Sequence, residues 1–454
     1  MYLYKYKHQN FGARMNNLTP PQIVEYLDEY IIGQKDAKKI IAIALRNRYR
    51  RFLLSKEAQE EITPKNILMI GSTGVGKTEI ARRMAKMLKL PFIKVEASKY
   101  TEVGFVGRDV ESMIRDLVAV SYNLVQQEFQ ENNQEKIQDY INEKITKKLL
   151  PPLPSGASEE KKRDYDISFL AMKQRVQNGE VDHLRVEIDV MKKSDFSDLG
   201  LPPEMLKAQE SIVKIISPNQ SVKKELSIKE AKEILKNEAL ENTMDQESIK
   251  SQALKRAQEG GIIFIDEIDK IAVGNKESSR SDPSKEGVQR DLLPIVEGCN
   301  VHTKYGQIKT DHILFISAGA FHLSKPSDLI PELQGRFPLR VELDSLSEEA
   351  MVQILTKTKN SILKQYQALL ETEGVKLEFT AEAIKELAHL SLNANQKTED
   401  IGARRLHTTF EKVLEEISFN AHEHKGETIT ITQELVREKL EHLVENVDLA
   451  RYIL

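Results

Sequence analysis

Asn66-Ile67-Leu68-Met69-Ile70 runs into Gly71-Ser72-Thr73-Gly74-Val75-Gly76-Lys77-Thr78, and the reading of these residues decides the fold. The apolar run has the length of a buried strand, and a helical pattern resumes at Thr78. Between them lies G-x-x-x-x-G-K-T, so the unit reads strand, glycine-rich loop, helix. Glycines let backbone N–H groups close around phosphate oxygens. A helix N-terminus adds positive potential at the same place. Lys77 is expected to reach the β- and γ-phosphates of a nucleotide, and the Thr78 hydroxyl to coordinate Mg²⁺. Gly74, Val75, Gly76, Lys77, Thr78 and Glu79 are the candidate nucleotide-binding residues of this loop.

Such a loop needs a second metal ligand from a neighbouring strand. Ile262-Ile263-Phe264-Ile265-Asp266-Glu267 supplies it. An unbroken apolar run describes a strand buried on both faces of a parallel sheet. Asp266 then emerges at the C-terminal end, where open α/β sheets bind their ligands. Asp266 is expected to orient Mg²⁺, and Glu267 to polarise the attacking water, so the pair points to ATP hydrolysis rather than to binding alone. Pro91–Val95 is a further strand candidate.

Length and composition bound the rest. The 454 residues make about three domains at roughly 150 each, or two with a large insertion. Lys plus Arg number 66 and Asp plus Glu 70, a formal net charge of −4, which argues against a nucleic-acid footprint. The single cysteine, Cys299, excludes a disulfide framework or a cysteine-based zinc module. No apolar run approaches the ~18 residues of a membrane span, and no signal-peptide pattern opens the chain, so a cytoplasmic location is expected.

Residues 19–55 read as two helices broken at Ile31-Ile32-Gly33-Gln34. The arginines of the second (Arg46, Arg48, Arg50, Arg51) are taken as a solvated face rather than a basic patch. Residues 110–245 form a Gln-, Glu- and Lys-rich segment, read as a helical insertion split at Pro151-Pro152. Short apolar strands return over 260–343, and 345–445 reads as helical with a strand-like Thr428–Thr432. Three features are weak when read alone. Arg336, after Pro331, reads as a surface ion or as a cation for a transferring phosphoryl group. Gly402-Ala403-Arg404-Arg405 precedes a helix. Gly104-Phe105-Val106-Gly107 reads as a turn with a core phenylalanine, or as a mobile loop presenting an aromatic ring to a partner.

Together these motifs resemble those of AAA+ ATPases and, within them, the HslU (ClpY) unfoldase family that works with the HslV peptidase. The resemblance covers residues 15–454. It is carried by Ile31–Gln34, Pro64–Gly71, Thr101–Gly107, Asp266–Lys270, Pro331–Arg336, Ile401–Leu406 and the terminal Asp448–Leu454. It implies an α/β fold, an AAA+ P-loop core with a parallel sheet (15–109 and 246–343), an intermediate (I) domain (110–245) and a mainly helical C-terminal domain (344–454). Residues 1–14 have no family counterpart. They are expected to be a disordered extension, with Met15 as the start.

The resemblance also assigns roles. Ile32 falls where the family contacts adenine, and Glu332 at the nucleotide site. Arg336 matches the finger that reaches a neighbouring subunit's nucleotide, and Arg404 the sensor-2 arginine. With Lys77 and Glu267, these two arginines are the catalytic candidates, while Thr78 and Asp266 are the metal candidates. The sensor-1 residue should lie near Ser317. Gly104, Phe105, Val106 and Gly107 match the substrate-gripping pore loop, with Phe105 where the family usually has Tyr. Tyr452, Ile453 and Leu454 match the tail that docks on the peptidase. The implied assembly is a homo-hexamer acting with ATP and Mg²⁺ on unfolded or tagged proteins, without nucleic acid or membrane. Three other readings are disfavoured: a ClpX-type unfoldase lacks its zinc cysteines, a nucleic-acid motor lacks its charge, and a non-hydrolysing switch is opposed by Glu267.

Overall fold

The computed structural model describes residues 18–62, 64–102, 107–153, 158–191, 221–243, 245–273 and 283–445. They fall into two compact units, one holding the described residues up to Leu124 and from Lys250 onward, the other Val125–Ile249.

The first unit is built on a five-stranded parallel sheet. Its strands are β1 (Ile67–Ile70), β2 (Phe92–Glu96), β5 (Ile262–Asp266), β8 (Leu314–Gly319) and β9 (Leu339–Glu342), in the order β2-β5-β8-β1-β9. The run Ile262–Ile265 is fully buried because both faces of the sheet are covered. Ile262 and Phe264 pack with α1 (Pro20–Asp28), α2 (Lys35–Phe52) and α4 (Lys77–Leu88) through Ile23, Ile41, Leu45, Ile80 and Met84. Ile263 and Ile265 pack on the other face with α5 (Ser112–Asn132) and α10 (Pro283–Glu297) through Ile114, Leu117 and Leu292. Each such side chain contributes roughly 1.5–3 kcal/mol of burial. α3 (Lys56–Glu61) follows α2, the hairpin of β6 (Asn300–Thr303) and β7 (Gly306–Lys309) precedes β8, and α11 (Pro331–Arg336) precedes β9.

Two expectations change here. Arg48 and Arg51 are buried, not solvated. Arg48 donates to the carbonyls of Glu259 (2.8 Å) and His312 (2.6 Å), while Arg51 reaches the carbonyls of Gln59 and Ile62 and the His312 ring. Loop carbonyls from distant parts of the chain supply the partners that a sequence pattern does not display. The second change concerns the insertion. The separate compact unit starts at Val125 rather than at 110, because Met113, Ile114, Leu117 and Val118 belong to the core under the sheet.

The C-terminal part of the first unit holds α12 (Glu348–Thr356), α13 (Ile362–Glu371), β10 (Lys376–Phe379), α14 (Ala381–Lys397), α15 (Arg404–Phe419), β11 (Thr428–Ile431) and α16 (Gln433–Glu445). Ser347, Ser361 and Thr380 cap three of these helices through their hydroxyls. Leu355, Leu387, Phe410 and Leu440 form a core of their own. The strand-like Thr428 region is β11, and its parallel partner β10 was not expected from the sequence.

This lobe is tied to the N-terminal segment at two places. The Gln34 side chain donates to Asp344 O (2.8 Å) and accepts from Asp344 N (3.0 Å). Lys359 donates its amide to Glu29 O (2.8 Å) and pairs with the Glu29 carboxylate (2.9 Å). Lys38, fully buried, holds the intervening turn through Asp28 (2.6 Å) and the Ile31 carbonyl.

The second unit packs α6 (Gln134–Leu149), α7 (Glu159–Gln177) and α8 (Ile228–Thr243) around Ile141, Ile145, Val176 and Leu235. α9 (Gln246–Gly260) leads back into the first unit. Helices dominate as expected, but β3 (Arg185–Met191) and β4 (Ser221–Ser227) form an antiparallel hairpin that the sequence reading lacks. Val186 and Ile188 alternate into the core, whereas the Lys- and Glu-rich partner strand carries little β pattern.

Candidate active site

The P-loop lies between β1 and α4, at the C-terminal edge of the sheet. A cavity of about 420 Å³ opens there, lined by Thr73, Gly74, Gly76, Lys77, Thr78 and Glu79 of the loop and first turn, with Asp266 and Glu267 after β5. Ala403, Arg404 and His407 at the start of α15 close it, with Arg82 beside them. Val75 is buried beneath the loop.

Lys77 is buried and donates to the Gly71 carbonyl and to Ser72 O (2.7 Å), so its ammonium is held inside the loop. Burial pushes its pKa down, Asp266 and Asp269 pull it back up, and Arg404 lowers it again. The Glu79 carboxylate is engaged by Arg83 (2.6 Å) and Arg82 (3.3 Å). The part of Glu79 suited to a phosphate is therefore its first-turn amide.

Asp266 ends β5 in register with Glu96. Its Oδ2 pairs with Lys94 on β2 (2.8 Å), and its Oδ1 accepts the Glu267 amide (3.1 Å). Glu267 adopts the left-handed conformation (φ 57°). A non-glycine residue there stores roughly 1–3 kcal/mol of strain, and such strain clusters at functional sites. The Glu267 carboxylate is steadied by the Ser98 hydroxyl, which donates at 3.1 Å, and by Lys270 at 3.1 Å. Ser317 sits on β8 beside Ile265, fully buried, its hydroxyl without a partner among the described residues.

The two arginines of the 402–405 motif part company. Arg405 is buried and bonds Asn395, Thr398 and the Glu399 carbonyl, fixing the turn. Arg404, one residue earlier, is exposed and faces the cavity. The turn sits directly on the P-loop. A Cβ on Gly74 (φ +79°) would lie 1.9 Å from the Ile401 carbonyl oxygen, and one on Gly402 (φ +58°) 2.7 Å from Thr73 O. Both positions require glycine.

Other expected residues lie elsewhere. Ile32 is half-buried and does not line this cavity. Glu332 and Arg336 are exposed on α11 and do not line it either. Gly107 is exposed, and the loop it closes is framed by a Tyr100–Arg108 bridge and by Thr101 N donating to Arg108 O (3.2 Å). Gly104, Phe105 and Val106 lie outside the described residues, as do Tyr452, Ile453, Leu454 and residues 1–14. Sequence reasoning missed Lys94, Ser98, Arg82 and His407. His407 follows Arg404 by one helical turn, a spacing that could have flagged it. Ser98 carries no local signal.

Models of known families match three stretches of the chain. The ATPase family associated with various cellular activities (AAA) matches residues 67–149, the AAA domain (Cdc48 subfamily) residues 192–340, and the C-terminal D2-small domain of ClpB protein residues 346–444. The chain is similar over 439 residues, 96% of its length, to proteins named ATP-dependent protease ATPase subunit HslU. It is 68% identical to that of Helicobacter pylori strain J99 and covers 99% of it. The chain belongs to the HslU family. It is 67% identical to the HslU of Helicobacter acinonychis and 63% to that of Campylobacter jejuni, covering 99% and 100% of them. The AAA match and the HslU relatives make this chain an ATPase, one that binds and hydrolyses ATP. Among the described residues no helix is long and apolar enough to cross a membrane.

Proposed function

We propose that this chain is the ring-forming ATPase that unfolds protein substrates, feeds them to an HslV-type peptidase and activates that peptidase. The observation that carries this reading is a division of the site. Lys77, Thr78, Asp266, Glu267 and Arg404 converge on one cavity, while Arg336 and Glu332 stand on the exposed side of α11 away from it. A chain that carries its phosphoryl-stabilising arginine outside its own site needs a neighbour, which a closed homo-hexamer supplies.

In that ring, the P-loop amides and Lys77 hold the phosphates, and Ile32 contacts the adenine. Glu267 takes a proton from the attacking water as the bond between the γ-phosphorus and the bridging oxygen breaks. Arg336 of the adjacent subunit and Arg404 of the same chain balance the charge. The donor set fits a magnesium ion. Thr78 and Asp266 offer one hydroxyl and one carboxylate, and no cluster of three or more His, Cys, Asp or Glu is present among the described residues. Magnesium takes few protein ligands and completes its shell with phosphate oxygens and water. When bound it would supply electrophilic stabilisation of the transferring group.

The helical lobe that carries Arg404 touches the P-loop, so nucleotide state and lobe position are linked. The loop at 104–107, with Phe105 as its ring, would grip the polypeptide. The unit Val125–Ile249 would act as the intermediate domain that meets substrate, and the tail residues Tyr452, Ile453 and Leu454 would dock on the peptidase. Burial of those three is worth roughly 1.5–3 kcal/mol each before ordering costs, and six tails would bind multivalently. A cytoplasmic setting and independence from nucleic acid fit the mixed surface charge. Mixing the protein with an HslV-type peptidase tests the whole: ATP-dependent degradation of a folded substrate is expected. Its absence, with ATPase activity intact, refutes the coupling.

A further inference from the structure

The geometry points to Glu297 as the residue that aims Arg336. This rests on the reading of Arg336 as the arginine that acts on a neighbouring subunit's ATP. Glu297 is the last residue of α10, and Arg336 the last of α11. Oε1 of Glu297 accepts from Arg336 Nε at 3.0 Å and from Nη2 at 2.7 Å. Both bonds use the inner edge of the guanidinium. Nη1, at the outer end, has no partner among the described residues, and the side chain is 50% exposed.

The backbone of the finger is fixed independently. Asn66, buried at the head of β1, donates from Nδ2 to the Arg336 carbonyl (3.1 Å) and accepts the Phe315 amide on Oδ1 (3.0 Å). Gln334 donates to the Leu329 carbonyl (2.7 Å). The main chain is thus anchored to β1 and β8, while the direction of a long, otherwise free side chain is left to Glu297.

A half-exposed ion pair contributes little to stability, so this pair is poorly explained as a structural brace. An arginine gripped along one edge is a different matter. Its planar fork is fixed in direction while the outer nitrogen remains available to a phosphate. Holding a catalytic group in its working orientation lowers the barrier to the chemical step without changing how tightly ATP binds. Glu297 is therefore a positioning residue: it would touch no nucleotide and act through Arg336.

The experiment measures ATPase kinetics of the assembled protein. Glu297→Ala should lower kcat about tenfold, with KM and nucleotide affinity within about twofold of the parent. Glu297→Gln, whose amide oxygen can accept the same bonds, should keep most of kcat. Glu297→Lys, which repels the guanidinium, should fall at least as far as the alanine variant. Glu297→Ala combined with Arg336→Ala should be no slower than Arg336→Ala alone. Each comparison uses material of parental assembly size, and Glu297→Lys serves should Glu297→Ala not assemble. Unchanged kcat in the Glu297 variants beside an inactive Arg336→Ala overturns the proposal and leaves the role of Arg336 standing. Additive losses in the double variant, or a rise in KM that accounts for the defect, also overturn it. Full activity of Arg336→Ala would instead remove the reading on which it rests.

Discussion

The amide of Ala403 donates to the carbonyl of Gly74 at 3.2 Å, so the turn that begins α15 rests on the P-loop itself. The loop that would hold phosphates and the lobe that carries Arg404 meet through backbone, with two glycines facing each other at the contact. A single methyl group at Gly74 or Gly402 would come within 2.7 Å of the facing backbone and force the two apart.

Gly402→Ala should therefore impair the site while leaving the lobe folded. Its Cβ would come within 2.7 Å of Thr73 O and of the Gly74 carbonyl carbon. The left-handed backbone adds about 1 kcal/mol of strain. We expect ATP affinity to drop at least tenfold, read by titration with a fluorescent nucleotide. The helical content measured by circular dichroism should stay at the parental value. Parental affinity would mean that the turn yields freely.

Lys77→Ala should abolish ATP binding, and Glu267→Gln should retain binding while stopping turnover, both read by calorimetry and phosphate release. Ser98→Ala removes one of the two groups that steady the Glu267 carboxylate. Its kcat should fall several-fold at unchanged KM. Turnover by the Glu267→Gln variant would show that another base serves the water.

Phe105→Ala should leave ATPase activity within about twofold of the parent and abolish degradation of a folded protein by the reconstituted pair. Removal of Tyr452–Leu454 should erase stimulation of the peptidase while leaving basal ATPase intact. Degradation that survives the first change rejects the aromatic grip, and stimulation that survives the second rejects tail docking.

Acid should loosen the packing of α2 against the loop before β8. Burial, and then the charge of Arg51, push the His312 pKa below its ordinary 6.5, and Arg48 adds to this while Asp311 opposes it. The folded state thus holds His312 neutral, with Nε2 facing Arg51 Nη2 at 3.0 Å. Below pH 6.5 the unfolded chain takes up the proton more readily, so stability present above that pH is lost as the pH falls. Thermal denaturation should show a midpoint that declines from pH 7 to pH 5.5. The decline should shrink in His312→Gln. An equal decline in that variant would place the sensitivity elsewhere.

The parts of the site that the sequence displayed are those made by neighbours in the chain. The P-loop and the acid pair after Ile262–Ile265 are contiguous, and their residue types are forced by phosphate geometry and by burial on both faces. What stayed hidden depends on residues far apart in sequence. Ser98 meets Glu267, Gln34 clasps Asp344, and Arg48 finds the carbonyls of Glu259 and His312, all through folding rather than through local pattern. The β3–β4 hairpin escaped for a different reason: the Lys- and Glu-rich β4 reads as helix, and only Val186 and Ile188 opposite it show alternation. The twin arginines at 404 and 405 were legible as a motif but not as two opposite fates, because that depends on which side of the helix start faces Asn395.

Among the described residues the helical lobe is hydrogen-bonded to the rest of its unit at three points, and they are unlike one another. Gln34–Asp344 and Glu29–Lys359 both belong to the segment ahead of the sheet, while Ala403–Gly74 belongs to the phosphate loop. One backbone hydrogen bond contributes about 0.5–1.5 kcal/mol net, so the hold of the turn on the phosphate loop rests on the close fit of Gly74 and Gly402 as much as on that bond. The Gln34 and Lys359 contacts hold the lobe without touching the phosphate loop, so a change confined to Gly74 or Gly402 would leave them in place.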